Sequence, residues 1–253
     1  MWHGDHRFLI SNLILKDFRV RYRNMSLGMM WSLLNPLVML GVYIFVFTYI
    51  FQSSIPHYPV FLLCGTLPFN FFTLCWGAGT NSLLENANLI KRVAVPREIV
   101  PLASVLSNCL HLGIQITLLI VFVIGSGLSL NPYWLLLPLI WGLELIFIYG
   151  AVLFTSSLNV LIRDTRYVVD SANLVLFWLV PVIYPFSSVP VRFWSLYQYN
   201  PVAALVMAMR DIVLEGHAPA ATLLTKLALV SIISLVVGLF TFRRLQRRFY
   251  DFL

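Results

Sequence analysis

Four cations stand close together near the start of the chain, just before a long uncharged segment. They are Lys16, Arg19, Arg21 and Arg23, all within eight residues. Arginine presents a planar fork of N–H donors that fits phosphate oxygens, and lysine adds a compact point charge. The cluster therefore predicts contacts with phosphate groups, and the head groups of anionic lipids would satisfy it equally well.

The same residues belong to a predicted helix, residues 5–24, with two unlike faces. At about 100° per residue, one arc carries Asn12, Lys16, Arg19 and Arg23. The opposite arc carries Ile10, Ile14, Phe18 and Tyr22. A helix of this kind lies in the membrane interface. Two interpretations stay open: a plain anchor, or a surface helix that also contacts a cytoplasmic partner.

A second charged segment, residues 85–98, reads ENANLIKRVAVPRE. Its first part can form a short helix that Pro96 must end, because proline lacks the N–H that a helix interior needs. Arg97 and Glu98 then open the next apolar segment, with the acidic residue in the first turn. The pattern predicts a short, rigid, charged projection into the cytoplasm. An ordinary positively charged loop is the alternative.

Polar residues recur along one apolar segment in the middle of the chain. They are Ser104, Asn108, His111 and Gln115, spaced i, i+4, i+7 and i+11, so they share one arc of a helix. Glu144 lies at a similar depth in the next apolar segment. Because polar groups in hydrocarbon need partners, we expect a hydrogen-bonded clasp between this stripe and Glu144. The alternative is a polar strip that faces a path through the protein.

Several kinds of chemistry are missing from the sequence. It has no GxxxxGK[ST] loop to hold the phosphates of a nucleotide. Asp164 and Asp170 share one inner loop, but no DxD motif and no histidine cluster accompanies them. Cys64, Cys75 and Cys109 lie in apolar stretches without the spacing of metal ligands. The sequence therefore predicts no catalytic residue, no metal site and no cofactor on this chain.

The composition indicates an integral membrane protein. The 253 residues are 60% hydrophobic and 11% charged, with a mean hydropathy of +0.86, whereas soluble proteins carry about 25% charged residues. A helix that crosses the bilayer needs about 20 apolar residues. Six segments meet this need, at residues 27–51, 58–84, 99–124, 133–162, 167–185 and 221–242. The predicted fold is an all-α membrane domain, residues 1–253, with six transmembrane helices.

The distribution of lysine and arginine predicts the orientation. With the N-terminus inside, the inner segments hold 14 of the 17 cations. These are Arg7, Lys16, Arg19, Arg21, Arg23, Lys91, Arg92, Arg97, Arg163, Arg166, Arg243, Arg244, Arg247 and Arg248. The outer segments keep Arg192, Arg210 and Lys226. Both termini are therefore predicted to be cytoplasmic. Orientation and membrane lipids explain the net charge of +7 better than nucleic acid does.

An apolar segment near the C-terminus, residues 180–219, is too broken for one straight helix. It contains five prolines, Pro181, Pro185, Pro190, Pro201 and Pro219. Non-helical backbone is tolerated at membrane depth only where protein or water covers it. We expect a re-entrant helical hairpin at the outer face between the fifth and sixth spans, with a plain surface loop as the alternative.

Four motifs in order resemble the permease subunit of ABC exporters of the polysaccharide and polyol-phosphate family. These type 2 exporters carry O-antigen, teichoic acid and related lipid-linked glycans. The motifs are RVRYRNMSLGMMWSLLNPL, NANLIKRVAVPREIVPL, LNVLIRDTRYVVD, and the outer pair VPVIYPFSSVP and YNPVAALVMAMRDIVLEG. The resemblance covers nearly the whole chain.

This resemblance implies a homodimer that forms a channel through the bacterial inner membrane. Two copies of a separate ATPase, which would bind ATP and magnesium, would drive export. The resemblance places the coupling contacts at Asn88, Lys91, Arg92, Pro96, Arg97 and Glu98. The implied cargo is a polysaccharide on a polyprenyl diphosphate, with O-antigen preferred and teichoic acid or capsule as alternatives. The cations of residues 16–23 are then candidates for the diphosphate.

A glycan path favours aromatic side chains, because sugars present flat apolar faces. The densest aromatic clusters are residues 69–76 and 193–199. The candidates for the path are Phe69, Phe72, Trp76, Tyr184, Tyr197 and Tyr199. Packing in the core or at the lipid interface is the alternative for most aromatic residues of the chain.

Two other classes of protein are weighed against the exporter. A membrane-embedded enzyme acting on glycan lipids would need paired carboxylates or a clustered histidine and arginine site. A proton-coupled carrier would need several acids within the membrane and an internal repeat. Glu144 is the one acid deep within a predicted span, and the sequence shows no repeat.

Overall fold

Helices make up nearly all of the regular structure. The computed structural model describes residues 6–22, 30–52, 54–92 and 96–252, and over these ranges it contains no strand. The helices are α1 (His6–Tyr22), α2 (Trp31–Ile44), α3 (Tyr58–Glu85), α4 (Ala87–Arg92), α5 (Ile99–Gly125), α6 (Leu137–Leu161), α7 (Thr165–Leu179), α8 (Trp194–Tyr199), α9 (Pro201–Val213), α10 (Ala221–Leu245) and α11 (Phe249–Phe252). A π-helical turn, Phe45–Ile50, continues α2.

Five helical segments in the described ranges are long and apolar enough to cross a membrane. They are Leu33–Ile50, Tyr58–Glu85, Ile99–Gly125, Pro132–Leu161 and Ala221–Arg248. They match the first, second, third, fourth and sixth predicted spans. As expected from its sequence, the segment between the third and fourth spans breaks the helix, since α5 ends at Gly125 and Gly127 adopts a φ of 73°.

The fifth predicted span, residues 167–185, is shorter in the structure. Its helix, α7, has 15 residues, or about 22 Å at the usual rise, against a hydrocarbon layer of about 30 Å. The helix ends at Leu179, and Pro181 and Pro185 follow without N–H groups to continue it. Six membrane crossings therefore stay a prediction.

The core of the protein is built around α3. This helix packs along α5, α6 and α9, and most of its residues are buried. The most extensive helix contact is between α6 and α10, which meet where Gly150 faces Gly238. A Cβ atom at either glycine would overlap the backbone of the other helix. The missing side chains therefore allow the two helix axes to approach closely.

A second apolar cluster joins several helices at one end of the bundle, which we call the basic end. Its buried members are Leu13, Leu83, Ile90, Ile99, Val100, Ala103, Leu153, Val160, Phe242 and Phe249. The apolar residues Leu9, Ile10 and Ile14 of α1 also pack on it. In this structure the apolar face of α1 therefore covers protein, and its predicted place in the membrane interface stays a prediction.

The segment from residue 180 to residue 219 lies at the opposite end. Residues 180–183 are buried without forming a helix, and α9 is buried along nearly its whole length. The α9 helix begins at Pro201, and the Asn200 side chain caps it by accepting hydrogen bonds from the main-chain N–H groups of Val202 and Ala203. That this segment dips into the outer leaflet stays a prediction.

Candidate functional site

The predicted coupling loop forms a short exposed helix at the basic end. Asn88, Lys91 and Arg92 of α4 are exposed, whereas Ile90 is buried in the apolar cluster. Ile90 thus anchors the helix and leaves the cations on the surface. Residues 93–95, the end of the predicted projection, lie outside the described ranges. The described part of the loop therefore offers a cationic surface to a partner.

The other three predicted coupling residues stand at the start of α5, where two of them contact the C-terminal segment. Arg97 donates a hydrogen bond to the main-chain carbonyl of Gln246, and its guanidinium lies 5.9 Å from the centre of the Phe249 ring. Glu98 is 3.7 Å from Arg243 on α10. Pro96 is partly buried beside them. Arg97 and Glu98 therefore contact other parts of this chain. The sequence analysis had placed them in one group with the exposed cations Lys91 and Arg92.

The four predicted phosphate-binding cations of residues 16–23 also differ in their contacts, since one of them binds this chain and another is exposed. Lys16 donates a hydrogen bond to the side-chain oxygen of Asn86, at the start of the coupling loop, and lies 3.6 Å from Asp17. Arg19 is exposed. The Arg21 side chain and all of Arg23 lie outside the described part of the chain. One of the four predicted phosphate ligands is thus joined to the coupling loop.

The cavity of interest lies between four helices at mid-depth. It has a volume of about 590 Å³, within the range of small-molecule sites. Its described lining residues are Trp31, Asn35, Pro36, Met39, Leu40 and Tyr43 of α2, Thr66, Asn70, Thr73 and Leu74 of α3, His111 and Gln115 of α5, and Phe177 of α7. The residues from α3 and α5 lie near the middle of those long helices. The α3 and α5 walls of the cavity therefore lie near the middle of the bundle, while the α2 wall extends to Trp31, the first residue of that helix.

The predicted polar stripe on α5 divides between the core and this cavity. Asn108 is buried and donates a hydrogen bond to the main-chain oxygen of Ser104, one turn earlier on the same helix. His111 and Gln115, further along, line the cavity and lie 3.3 Å apart through their Nε2 atoms. The stripe thus faces protein at one end and open space at the other.

The hydrogen-bonded clasp between the stripe and Glu144 does not form. Glu144 is completely buried, and neither carboxylate oxygen has a hydrogen-bond partner among the described residues. The reason is helix order: α3 packs along both α5 and α6, while α5 and α6 touch each other over a shorter stretch. Glu144 instead lies within a turn of Ile140, Trp141 and Ile148, all buried.

The predicted path aromatics of α3 belong to the core rather than to the cavity. Phe69 is buried against Phe177, with ring centres 5.4 Å apart, and Phe72 is buried and stacks on Phe147 at 5.8 Å. Trp76 packs on Phe72 at 5.2 Å. None of these three predicted residues is among the described residues that line the cavity.

The other three predicted path residues lie at the opposite end. Tyr184 donates a hydrogen bond to the Trp178 carbonyl, and its hydroxyl is 3.2 Å from that of Tyr197. Tyr199 is half exposed, with the Lys226 ammonium 5.0 Å from its ring centre. These tyrosines hold the segment after α7 against α8 and α10.

Sequence reasoning missed the way Arg210 holds the outer segment in place. This buried residue of α9 donates hydrogen bonds to the carbonyls of Val182 (2.8 Å) and Tyr184 (3.3 Å). Its guanidinium lies 3.6 Å from the centre of the Phe61 ring on α3, a favourable cation–π arrangement. Gly65 on α3 provides the space for this contact, because a Cβ atom at that position would overlap the Val182 carbonyl. An arginine within the apolar run VMAMRDIV was the available signal.

Three titratable residues meet at the C-terminal end of α9, with Asp211 in its last turn and Glu215 and His217 just after it. Ligand atoms of Asp211, Glu215 and His217 all lie within 4.8 Å of one another, and His217 pairs with Glu215 at 2.8 Å. Burial first, and then the charge of Glu215, raises the pKa of Asp211 to about 6, while His217 lowers it. The imidazole of His217 donates hydrogen bonds to the main-chain carbonyl of Ala218 and to the Glu215 carboxylate, and these bonds raise the pKa of His217. Burial of its carboxyl group is thus the main cause of the raised pKa of Asp211.

Apolar helices long enough to cross a membrane, with a cationic surface at one end of the bundle and a polar and aromatic cavity between the helices, are typical of membrane transport proteins. Sequence comparison identifies the family. The profile described as ABC-2 type transporter matches residues 9–214, and the chain belongs to this family. The resemblance drawn from the four motifs is thereby confirmed.

Relatives align along almost the whole chain. The O-antigen export system permease protein RfbA of Klebsiella pneumoniae is 33% identical, covering 94% of this chain and 92% of its own length. The protein of the same name from Myxococcus xanthus is 28% identical, covering 91% and 90%. The polysialic acid transport protein KpsM of Escherichia coli is 26% identical, covering 92% of each chain.

Proposed function

We propose that this chain is the channel-forming permease subunit of an ATP-driven exporter of lipid-linked polysaccharide. The cargo is a polysaccharide on a polyprenyl diphosphate, O-antigen in first place, moved out across the bacterial inner membrane. The observation that carries the proposal is the 33% identity to an O-antigen export permease over 94% of this chain. Similarity to a polysialic acid transport protein keeps a capsule as the second candidate cargo, and teichoic acid is the third.

Six crossings with both termini in the cytoplasm fit the contacts at the two ends. Leu13 of α1 and Phe249 of α11 belong to one apolar cluster at the basic end, so the chain leaves that end and returns to it. The proposal therefore has an even number of crossings. In this proposal α7 and residues 180–185 together make one crossing, which adds to the five long apolar helices. Residues 180–183 are not helical, but protein covers them, and non-helical backbone is tolerated at membrane depth under that condition.

Two copies of a separate ATPase bind at the basic end in this proposal. The exposed cations Lys91 and Arg92 on α4 provide the contact, and burial of Ile90 holds the helix in position to receive a push. The sequence has no GxxxxGK[ST] loop, so ATP and magnesium belong to the partner. Lys16 extends the contact to α1, because its side chain bonds to Asn86 next to α4.

The permease acts as a homodimer in this proposal. Two helices that would face a second copy or lipid, α2 and α7, expose large apolar side chains. On α2 these include Val38, Met39 and Val42, and on α7 they include Leu174, Val175 and Trp178. The cavity lies between the same two helices and α3 and α5. A pairing through α2 and α7 would place the cavity of each copy near the shared channel.

Deletion of the gene in its host tests the proposal. We expect surface polysaccharide to disappear and polyprenyl-linked polymer to accumulate on the cytoplasmic side, and a plasmid copy to restore export. Immunoblots of surface polysaccharide and mass spectrometry of extracted lipids measure the two pools. Unchanged surface polysaccharide in the deletion strain would refute the proposal.

Two further measurements separate the other classes of protein. Export in inverted vesicles should stop when ATP is depleted and continue with an ionophore present, the reverse of a proton-coupled carrier. The purified chain should not convert lipid-linked sugar, since any turnover would favour the enzyme class.

A further inference from the structure

The chemistry of the cavity lining indicates an uncharged ligand. The described lining residues include no aspartate, glutamate, lysine or arginine. A diphosphate needs cationic donors, and a bound cation needs carboxylates or several convergent carbonyls. Neither set is present in the described lining, so this lining favours an uncharged ligand with hydrogen-bonding groups.

One polar side chain of the cavity has an unused acceptor. Gln115 is only 4% exposed, and its Oε1 atom has no hydrogen-bond partner among the described residues. Its amide nitrogen is engaged with His111. A buried acceptor without a donor is costly. A hydrocarbon chain in the cavity would leave Oε1 unpaired, whereas a hydroxyl group would donate to it.

Further polar groups stand around this acceptor. Asn35 on α2 and Asn70 on α3 each bring an amide with a donor and an acceptor to the wall. The hydroxyl of Thr73 donates a hydrogen bond to the main-chain carbonyl of Asn70, so the Thr73 hydroxyl oxygen can still accept one. Amides and hydroxyls on three sides suit a ligand that carries several hydroxyl groups.

Aromatic rings form the remaining wall. Tyr43 and Phe177 stack with ring centres 6.5 Å apart and planes 22° apart, and Trp31 is half exposed at the rim. Such rings offer a flat apolar surface. A pyranose ring has a flat face of C–H groups and an edge of hydroxyls, so it matches this wall and the amides opposite it.

We propose that the cavity binds a neutral sugar residue of the exported glycan, with Gln115 Oε1 accepting a hydrogen bond from a sugar hydroxyl. The site rests on the proposed export function and deepens it. It handles the polymer and not the diphosphate. It lies within one chain, between α2, α3, α5 and α7, so a homodimer carries two such sites.

Photocrosslinking in the host tests the site in the full complex. A benzoylphenylalanine residue replaces Met39 or Asn70 on two cavity walls, and Ile233, an exposed residue in the middle of α10, serves as the control position. After irradiation, periodate oxidation and hydrazide staining detect glycan on the purified chain. We expect glycan adducts at the two cavity positions and none at Ile233.

A substitution provides an independent measurement. With Gln115→Leu, the loss of one hydrogen bond should lower the amount of glycan adduct and the export rate about fivefold, at unchanged protein level and melting temperature. Gln115→Glu keeps an acceptor and should retain more export than Gln115→Leu. A lower melting temperature with an unchanged adduct yield would indicate a structural role only and would overturn the proposal.

The outcomes separate this proposal from the exporter function. Suppose that the gene deletion abolishes surface polysaccharide, but cells that export through the crosslinker variants give no glycan adduct at Met39 and Asn70. The sugar-site proposal is then overturned, and phospholipid adducts at these positions would make the cavity a lipid site. The exporter function then stands without it. If the deletion leaves surface polysaccharide intact, both proposals fail.

Discussion

The guanidinium of Arg97 donates a hydrogen bond to the main-chain carbonyl of Gln246, a residue 149 positions later in the chain. This bond joins the end of the coupling loop to the segment that follows α10. The α10 helix in turn packs against α6 at Gly238 and Gly150. If the predicted coupling loop receives a push from a partner, packed groups connect it without a break to the α6–α10 helix pair.

The first prediction concerns Phe249, which closes this connection at the basic end. The side chain is fully buried and meets Phe242 edge to face at 5.5 Å. Phe249→Ala should lower the free energy of unfolding by about 3 kcal/mol, measured by thermal unfolding of the purified chain. Phe252→Ala is the control, because Phe252 is 48% exposed. Equal losses in the two variants would contradict the buried position.

The second prediction concerns the exposed cations of α4. Charge reversal at Lys91 and Arg92 should lower ATP-driven export about tenfold while ATP hydrolysis continues, because the contact that couples the two is lost. The protein should still fold, since both side chains are exposed. Arg192→Glu, at the opposite end and also exposed, is the matched control. Normal export from the double variant would make the loop a topology signal only.

The third prediction compares two glycines on the same helix. Gly150 touches the backbone of α10, whereas a Cβ at Gly142 would meet nothing within 4 Å. Gly150→Ala should force α6 and α10 apart and lower the melting temperature and export together. Gly142→Ala should be neutral or raise stability by about 0.5 kcal/mol, because alanine is the better helix former. A harmless Gly150→Ala would show that the two helices do not approach this closely.

The fourth prediction concerns the unpartnered carboxyl group of Glu144. Since no described group bonds to either oxygen, Glu144→Met should raise the free energy of unfolding by about 1 kcal/mol, by removing a buried polar group at similar volume. Thermal unfolding of the purified chain measures this. Glu98→Met is the control, because Glu98 contacts Arg243 and gains nothing from the change. Marked destabilisation by Glu144→Met would reveal a partner for the carboxyl group.

The fifth prediction concerns pH at the opposite end. The pKa of Asp211 is raised from its ordinary value of 3.8 to about 6. The protonated carboxyl group therefore favours the fold at low pH, and this contribution is lost as the pH rises from about 4 through 6. Asp211→Asn should raise the melting temperature at pH 7.5, and the gain should shrink as the pH falls to 4.5. Asp170→Asn, on exposed Asp170, should show no such trend.

The sequence alone determined the class of protein and where most helices lie. Charge-free runs of about 20 residues cross bilayers whatever surrounds them, and five of the six predicted spans appear as long apolar helices. Helix capping is equally local, and α9 is an example, because the cap residue Asn200 and Pro201 in the first turn are adjacent in the sequence. The sequence also predicted a short helix before Pro96, and the structure has α4 there, with the cations Lys91 and Arg92 exposed.

Only the tertiary structure decided which faces meet. Helical periodicity shows that Asn108 and Gln115 share one arc, but it carries no information on which neighbour covers that arc. The position of α3 beside both α5 and α6 keeps Glu144 from the stripe and buries Phe69 and Phe72. The cavity combines side chains from four helices, and the Arg97–Gln246 bond spans most of the chain. Contacts of this kind depend on helix order and relative register, which are set by the packing of the whole bundle.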